Sequence, residues 1–161
     1  MRLTPARVER ECEWVRDRAP VVVPLVNEVR DDLGEVFGVE VDEITIAAYR
    51  GEVGTVFADG DRAVNVAALV ALLRDLDVVD DYPGFVVDEL LGRELAATIA
   101  GEHPLRLLAE ATFHYADLLS HGGSDDPAGV DDLDAALAAG FQTRMPGWSW
   151  RERPGPFDGS G

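Results

Sequence analysis

Charged and apolar positions alternate at helical spacing from residue 5 to 18, with Val8, Cys12 or Trp14, and Val15 on the apolar side, and Ala19-Pro20 interrupts them. The spacing predicts a first helix ending there. From Val21 to Phe37 the residues Val22, Leu25, Val26, Val29, Leu33, Val36 and Phe37 recur at three and four, which predicts a second, longer amphipathic helix stopped by Gly38, with Pro24 tolerated in its first turn. Glu43–Tyr49 has the β-branched alternation of a strand, and Ala58-Asp59-Gly60-Asp61 separates two more strand-like runs, Val53–Phe57 and Arg62–Val66. Further helices are predicted over Ala67–Leu76, Pro83–Ala100, Pro104–Ser120 and Val130–Ala139. After Phe141 periodicity is lost in Met145-Pro146-Gly147-Trp148-Ser149-Trp150 and a Pro/Gly-rich end. The expectation is an α+β domain over residues 1–141, with a small mixed or antiparallel sheet, N-terminal helices and a C-terminal helical layer, followed by an aromatic tail over 142–161.

Two of these helices bear chemistry. On the 83–100 segment Asp88 shares a face with Phe85, Gly92, Leu95, Ala96 and Ile99, so an acid sits on an apolar stripe. A neighbouring element must hydrogen-bond that carboxylate, or a metal must neutralise it, because burying it unpaired costs several kcal/mol. Gly92 costs about 1 kcal/mol against alanine in mid-helix, which suits a place where another backbone or a ligand comes close. On the next helix Leu105, Leu108, Ala109, Thr112, Phe113, Tyr115, Ala116 and Leu119 form the apolar side, and Arg106, Glu110, His114, Asp117 and His121 the polar one. All three histidines, His103, His114 and His121, lie in or beside it. Glu110 and His114 are one turn apart and able to reach a common ligand.

Composition narrows the partners. The 161 residues suit one domain, and 31 acidic against 14 basic residues give a net charge of −17, with every basic residue an arginine. Such a chain repels itself at low salt, whereas at molar salt the Debye length falls to about 3 Å. The acidic, lysine-free composition suggests a halophile's cytoplasm, and the sign argues against nucleic acid and anionic membrane as partners. No apolar run approaches the roughly 20 residues of a bilayer span, and the N-terminal residues are too charged for a signal peptide. Cys12 is the single cysteine, so no internal disulfide is expected, and no basic cluster makes it a nucleophile. Gly51, Gly54 and Gly60 precede no Gly-Lys-Ser/Thr, which leaves nucleotide binding without support.

The succession Leu33–Gly38, Ile44-Thr45-Ile46, Ala63-Val64-Asn65-Val66, Val86-Val87-Asp88-Glu89-Leu90-Leu91-Gly92 and Leu107-Leu108-Ala109-Glu110-Ala111-Thr112-Phe113-His114-Tyr115 resembles the gluzincin metallopeptidases, in particular their small thermolysin-like, peptidase MA-like core, over about residues 21–120. The resemblance implies a zincin-like fold. In that family His-Glu-x-x-His on one helix binds zinc and supplies the general base, and a later glutamate completes the site. Glu89 falls at the general base, Glu110 at the third ligand and Tyr115 at the following aromatic, while Asp88 and Gly92 replace the two histidines. The resemblance therefore implies a metallopeptidase-like pseudoenzyme acting as a binding or regulatory module, with no cofactor and with a protonated His114 held between Asp88 and Glu110. It also leaves a cleft for an extended peptide, with Arg62–Val66 as the sheet edge.

Two other readings stand beside it. In one, Asp88, Glu110 and His114 hold Zn²⁺ or Mn²⁺ at a noncanonical site, making a metal-dependent hydrolase with Glu89 as base. Alternatively the chain is a structural or assembly subunit. In the tail, Trp148, Trp150, Arg151 and Arg153 form an aromatic and basic set fitted either to a protein or peptide partner or to a strap on the domain's own core.

Overall fold

A computed structural model of the chain describes residues 1–77, 82–120 and 128–148. It contains seven helices: α1 (Pro5–Asp17), α2 (Ala19–Phe37), α3 (Ile46–Phe57), α4 (Gly60–Asp75), α5 (Val87–Ala100), α6 (Leu105–Ser120) and α7 (Ala128–Arg144). Among the described residues there is no β-strand, only an isolated antiparallel bridge between Val41 and Trp148. The expected sheet is thus replaced by an all-helical bundle, and the α+β expectation is corrected. Among the described residues no helix is long and apolar enough to cross a membrane.

The helices at both ends of the expected sheet follow their sequence signals. Thr4 caps α1, its hydroxyl accepting from the Arg7 N–H at 3.1 Å, and Pro5 fills the first turn. Gly38 ends α2 in the left-handed conformation at φ 64°, and the Val39 N–H donates to the Gly34 carbonyl at 2.9 Å. The strand-like segments fail for a local reason. Thr45 stops the extended run and becomes the cap of α3, accepting from the Ala48 N–H at 3.1 Å. Beyond it Tyr49, Val53 and Val56 are buried at i, i+4 and i+7, which is helical spacing. Asp59-Gly60, expected to separate two strand-like runs, opens α4, which takes up Arg62–Val66 and the short helix expected to follow. That removes the proposed peptide-binding edge.

Helix α7 is the axis on which the rest assembles. It packs against α2, α3, α4, α5 and α6. Its sequence explains the position: Ala135, Ala136, Leu137, Ala138 and Ala139 are all fully buried, so the helix is apolar on every side and thin enough to be surrounded. Gly140 lets α5 approach, since a Cβ there would lie 2.9 Å from Ile99 Cβ and 3.0 Å from the Ala96 carbonyl. Gln142–Arg144 complete α7, and Trp148 is buried against α2 with its indole N–H donating to the Gln142 carbonyl at 3.2 Å. Around this axis Tyr49 is sealed in, donating its hydroxyl to the Val15 carbonyl at 2.7 Å and packing edge-on to Phe141 with ring centroids 5.3 Å apart. Burial pushes its ionisation well above the ordinary tyrosine range.

Candidate functional site

Helices α5 and α6 bring most of the expected site residues to one side of the bundle, but not to each other. Gly92 is the hinge of their packing: a Cβ there would lie 2.6 and 2.7 Å from ring carbons of Phe113 on α6 and 3.3 Å from the Asp132 carbonyl on α7. The close approach anticipated at this glycine is therefore a helix–helix contact. Asp88, in the first turn of α5, accepts from the Glu89 N–H at 2.9 Å and is half-buried. Asp132 of α7 lies near enough for Asp88 to raise the ionisation of its carboxyl group.

Asp132 is 3% exposed and Asp117 of α6 is 7% exposed, so two acids from neighbouring helices are buried while Asp88 is half-buried. Burial, the hydrogen bond with Asp88 and the charges of Asp117 and Asp88 push the Asp132 carboxyl up to about 9. Burial and the neighbouring acids thus favour its neutral form.

The remaining expected residues lie elsewhere. Arg106 holds both Glu94, at 2.8 Å, and Glu110, at 3.7 Å, so Glu110 belongs to a surface ion network. Glu89 and His114 are exposed, and among the described residues no hydrogen bond or ion pair joins His114 to Asp88 or Glu110. Among the described residues no group of three or more His, Cys, Asp or Glu is arranged to hold a metal ion. Trp148 lies in the core, while His121, Trp150, Arg151 and Arg153 fall outside the described residues.

The sequence reading missed two things. Asp132 was overlooked: it is one of three aspartates in Val130–Phe141, and nothing in their spacing marks it as a buried one. The second is the outer side of α6. Leu107 is 57%, Tyr115 42% and Leu118 62% exposed, and Ala111 and His114 face outward with them. Positions 107, 111, 114 and 118 advance by four, three and four, the spacing of a helix–helix seam. Ala109, Thr112, Phe113 and Ala116 fill the inner side, so α6 is apolar inside and largely apolar outside. Tyr115, expected in the apolar interior, lies on this outer stripe. Val86, Val87 and Leu90 at the start of α5 are 49%, 44% and 54% exposed.

A second concavity of about 520 Å³ opens between α1 and the α3–α4 junction, lined by Leu3, Val8, Cys12, Phe57 and Val64 among others. Burial pushes the Cys12 thiol up against the opposing effect of Arg16, so the sulfur there is a protonated, weak nucleophile.

Comparison with known proteins places the whole chain in one family. Residues 1–160 match the family described as a domain of unknown function (DUF7984), and the chain belongs to it. No curated protein and no solved structure matches. The gluzincin resemblance is overturned by this assignment and by the all-helical fold: no metallopeptidase family matches, and the zincin-like sheet that would carry the cleft is not formed among the described residues.

Proposed function

We propose that the chain is a binding module that takes an amphipathic helix of basic character, supplied by a partner protein, along the outer stripe of α6. The observation that carries this reading is the stripe itself. A surface helix ordinarily turns polar side chains to water, whereas Leu107, Tyr115 and Leu118 expose large apolar groups at seam spacing. Helix-in-groove recognition uses such i, i+4, i+7 anchors.

Charge selects the occupant. A second copy would bring another −17 and oppose acid to acid, while a basic helix meets complementary potential at Glu110, next to the stripe on α6, and across a strongly acidic chain. At molar salt the range of these charges shrinks to about 3 Å, so the apolar seam carries affinity and the acids select by direct contact.

The test uses two labelled helical peptides with the same leucine seam, one flanked by arginine and one by glutamate, titrated by fluorescence anisotropy. The arginine peptide is expected to bind about tenfold or more tighter. A Leu107→Glu/Leu118→Glu variant, folded by circular dichroism, is expected to lose about tenfold or more of that affinity. Equal affinity for both peptides, indifference to the double substitution, or a wild-type dimer abolished by it would each overturn the reading.

A further inference from the structure

We propose that the concavity between α1 and the α3–α4 junction binds a small amphipathic cation, an organic ammonium whose apolar body lies over Cys12 and Phe57 and whose charged end meets Glu9. The site is separate from the outer stripe of α6 and stands whether or not that stripe takes up a helix.

The packing of α1 creates the space. Helix α1 rests on α3 and α4, and where α3 ends at Phe57 and α4 begins at Gly60 they leave an open corner against it. Gly60 shows how open the corner is, since a Cβ there would have nothing within 4 Å. Cys12 and Phe57 are half-buried and packed on the core, while Leu3 and Val64 remain 39% and 43% exposed. Apolar side chains from α1 and from the α3–α4 junction thus wall a hollow of about 520 Å³, within the range that small-molecule sites occupy. A helix with its side chains is about 10–12 Å across, so a single turn would take up the hollow and leave a seam nowhere to run.

Charge gives the ligand its sign. Glu9 stands in the wall, and among the described residues no hydrogen bond or ion pair engages its side chain. The start of α4 carries the positive end of a helix dipole, which by itself favours an anion. Asp59 and Asp61 flank Gly60 there and offset it. Arg62 of α4 is turned elsewhere: it pairs with Asp59 at 3.7 Å and lies against Gly101 at the end of α5, 2.7 Å from where a Cβ of that residue would be. Arg16, two turns along α1 from Glu9, lies over Gly54 of α3 and donates to the Cys12 sulfur at 3.9 Å. The acids therefore set the sign at the Glu9 end, and the net charge of −17 adds to it.

The experiment uses the full chain, with its single cysteine as the reporter. Alkylation of Cys12 by iodoacetamide is timed while octylammonium is titrated in, at one salt concentration throughout, with octanol, octanoate and propylammonium as comparisons. Octylammonium is expected to slow the reaction with a midpoint about fivefold below that of octanol and about tenfold or more below that of octanoate. Propylammonium, with the same charge and a shorter chain, is expected to need at least about tenfold more. Glu9 is exposed, and Glu9→Gln is expected to remove the advantage over octanol, whereas Glu35→Gln, at an exposed acid of α2 outside the hollow, keeps it. No slowing by millimolar octylammonium, equal midpoints for octylammonium and octanoate, or an ammonium preference that survives Glu9→Gln would each overturn the proposal. Protection of the thiol that grows with protein concentration, with no probe added, would place a second copy in the hollow and overturn it as well.

Discussion

Arg30→Met is expected to destabilise the protein by about 4 kcal/mol or more, the largest loss of any single change at a polar residue here. Arg30 is 1% exposed on α2 and reaches across the core to the far end of α7. Its Nη1 donates to the Asp42 and Pro146 carbonyls at 2.7 and 2.8 Å, and its Nη2 to those of Gln142 and Met145 at 2.9 and 3.1 Å. The guanidinium also sits 5.7 Å from the ring centre of Trp148. It therefore closes the C-terminus of α7, where carbonyls lack intrahelical partners and the helix dipole favours a cation. Methionine keeps most of the buried stem and removes every donor, leaving acceptors stranded out of water. Arg30→Lys retains the charge but not the planar fork, and its loss should be about half as large. Urea denaturation of both variants measures the difference. Equal stability of Arg30→Met and wild type would contradict the capping role.

Gly129→Ala comes next, with an expected loss of about 3 kcal/mol. The position a Cβ would take at Gly129 is occupied by the carbonyl oxygens of Leu73 and Leu76, both backbone atoms at the end of α4. Neither can swing aside as a side chain would, and the Gly129 N–H already donates to the Leu76 carbonyl at 3.2 Å. The methyl group must push α7 away from α4. Gly51 provides the contrast within the same protein: it lies in α3 with nothing within 4 Å of its would-be Cβ, so Gly51→Ala is expected to stabilise by about 0.5–1 kcal/mol. Opposite signs in thermal melts at one pH are the expected outcome.

The two glycines also show where the sequence was legible and where it was not. Helices α1, α2, α5 and α6 declare themselves through apolar spacing and caps such as Thr4 and Gly38, because each buries only one face. Helices α3 and α4 were obscured by Ile44, Thr45, Ile46, Val64 and Val66, residue types that favour strands when half-buried on a sheet but serve equally on the inner face of a helix. Thr45 is the deciding case, since one hydroxyl accepting from Ala48 turns a strand-like run into a helix start.

Helix α7 shows in the sequence over Val130–Ala139, but neither its full length nor its central place does. A helix surrounded on all sides has no polar face to set its period, and its alanines and glycines mark it only as thin. Its central place, and with it the position of Asp132, depends on contacts far apart in the chain. Asp88 lies half-buried in the first turn of α5 with Asp132 as a neighbour on α7, and among the described residues no hydrogen bond or ion pair joins it to His114. Glu110 and His114 stand one turn apart on the polar side of α6, as their spacing predicts, and the fold places them at the surface. On α6 the inward turn of Asp117 and the outward turn of Leu107, Tyr115 and Leu118 invert the simple rule that polar faces meet water, and the proposed binding role rests on that inversion.

Methyl-resolved NMR of the wild-type chain, titrated with the arginine-flanked amphipathic peptide, tests the binding surface most directly. The expected result is a set of shift changes centred on Leu107 and Leu118, fading toward Leu90 on α5. Changes centred instead on Leu3, Val8 and Val64 in the cleft between α1 and α4, or no change at saturating peptide, would contradict the assignment of α6 as the recognition helix.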